Sequence, residues 1–105
     1  MLPIIENKII PIKQICRQTG VESLHLFGSA AKGGFFSGES DLDFLVDFKE
    51  MPPTSHAKAY FDLLEGLEGV FGCPVDLLEN SAIRNPYLKK DLESSRQLLF
   101  HENRS

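Results

Sequence analysis

Apolar and polar residues alternate from Val21 to Phe27, with Leu24 and Leu26 set against Ser23 and His25, and this pattern predicts a strand. The alternation resumes at Asp41. Leu42, Phe44, Val46 and Phe48 share one face of a second strand, while Asp41 and Asp43 share the other, because side chains two apart in a strand point the same way. The apolar face is the one that packs on a core. The two aspartates then stand side by side, with Cα atoms roughly 6.5–7 Å apart at a rise near 3.3 Å per residue. Cys73 to Leu78 predicts a third strand, with Val75 and Leu77 facing one way and Asp76 the other, and Gln97 to His101 a short last one.

Between these runs the period changes to that of a helix. Met1 to Gly20 reads as an amphipathic helix with a loose start, in which Ile12, Ile15 and Cys16 form one stripe. Pro11 requires that the helix begin or bend near it, and Gly20 is suited to stop it. A second helix is predicted from a cap at Thr54 or Ser55 to a stop at Gly72, with Ala57, Tyr60, Phe61, Leu64, Leu67 and Phe71 toward the core. Gly66 and Gly69 weaken that helix and allow a neighbouring element to come close. Asn85-Pro86 forms an N-cap and N1 pair for a last helix bearing Leu88 and Leu92 on one side, and Glu102 to Ser105 is expected to fray. The order of elements predicts an α/β (α+β) fold, a small mixed sheet of three to four strands with helices packed on one face. No repeat or linker interrupts it, so residues 1–105 are expected to form a single domain.

Composition narrows the classes of partner. A hydrophobic fraction of 42% and a charged fraction of 25% are ordinary for a globular protein. Against 15 acidic residues stand 11 basic ones, a formal net charge of -4, so stable nucleic-acid binding is not expected. The adjacent pair Lys89-Lys90 reads as a solvated helix face. Cys16 and Cys73 lack CxxC spacing and are expected to be buried thiols in a reducing compartment. With no apolar run long enough for a membrane span and no signal-peptide pattern, a cytoplasmic location is expected.

The stretch Leu26 to Asp47 holds the candidate chemistry. Gly28-Ser29 ends the first strand, and Ala30-Ala31-Lys32 can open a helical turn whose free N–H groups suit phosphate oxygens. Residues 30–40 then give the chain room to fold back beside the first strand. Phe35 and Phe36 lie in that connection, where one can plug the core while the other lies on the surface; the alternative is a contact with a partner or a nucleotide base. Asp41 and Asp43 repel each other unless a cation sits between them, and a hard, oxygen-seeking ion such as Mg²⁺ is the natural choice. Asp76 supplies a third carboxylate. Three aspartates on rigid strands beside a phosphate-binding turn suit two-metal nucleotidyl transfer, with two Mg²⁺ clamping the attacking and leaving oxygens and Asp76 placed to accept the proton of an acceptor hydroxyl. No nucleophilic side chain is required. His25, His56 and His101 show no zinc-type spacing and receive no role.

At these residues the chain resembles the polymerase-beta-like nucleotidyltransferase superfamily, and its minimal nucleotidyltransferase (MNT) branch in particular. The resemblance is carried by Gly28-Ser29, Ala31-Lys32-Gly33, Ser40-Asp41-Leu42-Asp43, Asp76 on a later strand, and the NPYL segment Asn85–Leu88. Lys32 stands where the family often has arginine, giving a point charge in place of a bidentate fork. Members of the branch commonly act as antitoxins beside a HEPN-domain ribonuclease toxin. The resemblance implies transfer of AMP from ATP to a tyrosine of such a toxin, possible assembly with it as a hetero-oligomer, triphosphate binding by Gly28, Ser29 and Lys32, and metal binding by Asp41, Asp43 and Asp76. At 105 residues no separate acceptor-binding domain is expected, which also suggests a protein partner. The alternative from another class is a non-catalytic antitoxin or interaction module that neutralises the partner by binding alone.

Overall fold

The structure, a computed structural model, describes residues 3–27 and 42–102. Its elements are α1 (Pro3–Glu6), α2 (Ile9–Thr19), β1 (Val21–Phe27), β2 (Leu42–Phe48), α3 (Pro53–Phe71), β3 (Val75–Glu79), a short 3-10 turn (Asn80–Ala82), α4 (Pro86–Ser95) and β4 (Gln97–His101). The strands form a mixed sheet in the order β3-β2-β1-β4. β1 runs antiparallel to both β2 and β4, while β2 and β3 are parallel, with α3 as the crossover a parallel pair needs.

Local chemistry explains most of the boundaries. Pro11 falls in the first turn of α2, where its missing N–H is not needed. Gly20 and Gly72 end α2 and α3 in the left-handed conformation, at φ 75° and φ 68°. The Asn85 side chain accepts hydrogen bonds from Tyr87 N–H (2.9 Å) and Leu88 N–H (3.3 Å), capping α4 as its sequence predicts. Lys89 and Lys90 are exposed on α4, and Leu88 is also exposed.

α2 and α3 pack on each other and on one face of the sheet. Ile12 and Cys16 of α2, Leu24 and Leu26 of β1, Phe44 and Val46 of β2, and Leu63 and Leu67 of α3 meet in a fully buried core. Burial pushes the Cys16 thiol up to about 12, so it behaves as a small apolar residue. Gly66 lets α2 approach α3: a Cβ built there would come within 3.0 Å of Ile15.

Two expectations about α3 are corrected. The buried stripe is Ala59, Leu63 and Leu67, with Tyr60 and Leu64 partly buried beside it, whereas Phe61 is 62% exposed and Ala57 is exposed. Phe61 lies about 120° around the helix from Leu67 at 3.6 residues per turn, too far to share its face. The helix also starts at Pro53 after Pro52, with no side-chain cap from Thr54 or Ser55. Phe35 and Phe36 lie outside the described residues, and Leu92 outside the described side chains.

Candidate active site

The face of the sheet turned away from α2 and α3 is organised in rows across the strands. Residues opposite one another in paired strands share a face. Phe27 pairs with Asp43 and Asp43 with Asp76, so one row reads Phe27, Asp43, Asp76 across β1, β2 and β3. The next holds His25, Leu45 and Leu78. Beyond it Asp47 pairs with Ser23, and its Oδ2 accepts from Ser23 Oγ (3.2 Å) and Asn80 Nδ2 (3.3 Å), which makes Asp47 a structural carboxylate.

The predicted Asp43 and Asp76 are therefore brought together. Their Cα atoms stand about 4.8 Å apart, the spacing of hydrogen-bonded strands. Asp43 is half-buried and Asp76 exposed, at the rim of a cleft of about 610 Å³ that Phe27, Tyr60 and Leu64 also line. The other predicted site residues, Gly28, Ser29, Lys32 and Asp41, lie outside the described residues. In sequence, Gly28 and Ser29 follow directly on Phe27, and Asp41 precedes Leu42.

The donor chemistry fits a hard divalent cation. The row offers carboxylate oxygens on an outer sheet face, hard donors that suit Mg²⁺ better than zinc or copper, which favour imidazole and thiolate. Among the described residues no cluster of three or more potential metal ligands forms, so Asp43 and Asp76 supply a pair.

Sequence reasoning placed Tyr60 in the core and missed its place in the cleft. Its hydroxyl donates to the carbonyl of Leu77, one residue beyond Asp76, at 2.6 Å. Burial, then the nearby Glu79 and Asp76 carboxylates, hold its pKa above the ordinary tyrosine value, so the phenol stays a donor at neutral pH. His56, given no role from spacing, meets Glu79 on β3. The recurrence of His56, Tyr60, Leu64 and Glu68 at every fourth position was the available signal, and it is indistinguishable in sequence from a packing stripe.

Comparison with known proteins identifies the family and the fold. The family model for the nucleotidyltransferase domain matches residues 9–99. A protein of Methanocaldococcus jannaschii named as a protein adenylyltransferase is 44% identical over 73 residues, covering 70% of this chain and 71% of its own length. A solved structure classed as a minimal nucleotidyltransferase superposes with a TM-score of 0.69 at 28% identity, covering 88% of this chain and 89% of the other. The fold is also that of the MNT antitoxin solved with the tri-AMPylated HEPN toxin of Shewanella oneidensis, with a TM-score of 0.61 at 21% identity, covering 97% of this chain and 74% of that one. The chain belongs to the nucleotidyltransferase family, in its minimal, protein-adenylyltransferase branch. Among its described residues no helix is long and apolar enough to cross a membrane.

Proposed function

We propose that this chain is a Mg²⁺-dependent protein adenylyltransferase that moves AMP from ATP to a tyrosine hydroxyl of a HEPN-type toxin and acts as its antitoxin, assembling with it as a hetero-oligomer. The observation that carries the reading is the in-register pairing of Asp43 with Asp76 on one sheet face. The name of the Methanocaldococcus relative supports adenylyl transfer to protein, and the AMPylated Shewanella complex supports a HEPN acceptor.

In this reading Asp41, Asp43 and Asp76 hold two Mg²⁺, and Gly28, Ser29 and Lys32 receive the triphosphate. Bound there, the ions would supply charge neutralisation and a more acidic acceptor hydroxyl. Asp76, more exposed than Asp43, accepts the phenol proton. The tyrosine oxygen forms a bond to the α-phosphorus of ATP, the bond from that phosphorus to the bridging oxygen breaks, and pyrophosphate leaves. The protein's part is to position the reactants and stabilise charge.

The test uses ATP labelled in the adenosine, Mg²⁺ and the HEPN protein encoded beside this chain. Label on that protein, absent with Asp43→Asn, supports transfer. Neutralisation of the toxin that survives Asp43→Asn without label supports action by binding alone.

A further inference from the structure

β3 is an edge strand of the described sheet, paired only with β2, yet it carries one of the two described carboxylates of the cleft. An edge strand leaves half of its N–H and C=O groups without a strand partner. Here side chains of α3 take that place. Val75 N–H donates to Glu68 Oε2 at 3.2 Å. Leu77 C=O accepts from the Tyr60 hydroxyl at 2.6 Å. At the end of the strand Glu79 meets His56. The anchors follow one another at intervals of a multiple of four along α3, a row that winds about 40° around the helix for every four residues as it follows the outer edge of β3.

The parity of these contacts matters. Successive residues of a strand turn their backbone groups to alternate sides, so Val75 and Leu77 face α3 while Asp76, between them, faces β2. Asp76 is thus bracketed: its two chain neighbours are tied outward, and its own backbone is left to the ladder that sets it beside Asp43.

Resting on the proposed role of Asp76 as a metal ligand, we infer that Tyr60 and Glu68 are positioning residues that fix the Asp76 carboxylate in register with Asp43 for divalent-metal binding. Neither side chain is itself assigned as a ligand. They act on the metal through the backbone on each side of Asp76, as outer-shell partners act on the ligands they orient.

The test measures Mn²⁺ uptake by the whole chain in the presence of the ATP analogue AMP-PNP, following free Mn²⁺ by electron paramagnetic resonance. Tyr60→Phe removes the donor to Leu77, and Glu68→Met removes the acceptor for Val75. Each is expected to raise the Mn²⁺ concentration at half-saturation about tenfold. Glu68→Gln keeps an acceptor oxygen and is expected to restore near-wild-type uptake. Ile12→Val, which loosens the buried core on α2 away from the cleft, is expected to lower the melting temperature without changing Mn²⁺ affinity.

If Tyr60→Phe and Glu68→Met bind Mn²⁺ as the wild type does while Asp76→Asn binds it poorly, the brace only covers a sheet edge and the inference is overturned, with the role of Asp76 intact. If Asp76→Asn binds as the wild type does, or the wild type takes up no Mn²⁺, the proposed function fails and the inference with it. Tyr60 and Glu68 are tested separately, so one variant that does not fold leaves the other decisive.

Discussion

Asp43 on β2 and Asp76 on β3 occupy opposing positions of one parallel ladder. Strand pairing, not side-chain freedom, therefore sets the separation of their backbones. Two carboxylates on neighbouring strands repel when no cation lies between them, and a bound cation reverses the sign of their interaction.

Neutralising either aspartate is expected to lower activity, and neutralising the exposed Asp76 to do so without loss of stability. Asp43→Asn and Asp76→Asn should each lower AMP transfer by more than about 100-fold, since several kcal/mol of charge stabilisation is lost. In metal-free buffer Asp76→Asn should unfold at the wild-type temperature or above it, because removing a like charge opposite another relieves up to about 1 kcal/mol. Mg²⁺ with ATP should stabilise the wild type by about 2.7 kcal/mol at a hundred times the dissociation constant. Thermal denaturation with and without Mg²⁺ and ATP checks both statements, and a ligand-induced shift that persists in Asp76→Asn contradicts the assignment.

The two glycines inside α3 should respond differently to alanine. Nothing lies within 4 Å of a Cβ built on Gly69, so Gly69→Ala should stabilise by about 0.5–1 kcal/mol through helix propensity. At Gly66 the same methyl would meet Ile15 at 3.0 Å. There the propensity gain is offset by overpacking between α2 and α3, which typically costs about 1–3 kcal/mol. Gly66→Ala is expected to be net destabilising. Urea denaturation of the two variants, compared at constant m-value, distinguishes these outcomes.

Acidification should destabilise the fold through His25. Its ring sits between Leu45 and Leu98 across the paired strands, and its buried Nδ1 has no hydrogen-bond partner among the described residues. Burial lowers its pKa below the ordinary 6.5, Arg96 and His101 lower it further, and Asp47 opposes them. With a folded-state value below the unfolded one, the unfolded chain binds the proton first. Stability is then unaffected well above 6.5, falls as pH drops through it, and levels off below the folded-state value. Denaturation midpoints at pH 7.5 and pH 5.5 should therefore differ less in His25→Leu than in the wild type. An equal drop in both would show that His25 carries no such linkage.

Much of this architecture was legible from residues close together in the chain. The left-handed stops at Gly20 and Gly72, the Asn85 cap, and the facing of Leu24 and Leu26 against His25 follow from backbone conformation and a period of two, which involve only near neighbours. That Asp43 and Asp76 point away from the core was likewise set by alternation within their own strands. Their meeting was not. It depends on the parallel register of β2 and β3, which a crossover through α3 and a shared core select over the whole chain. The same holds for Tyr60 and Glu68: a repeat of four puts them on one side of α3, but only docking of that helix decides whether the side meets a core or a strand edge. Hydrophobic burial is non-directional, so a sequence marks which residues leave water, while the packed arrangement assigns each its neighbour.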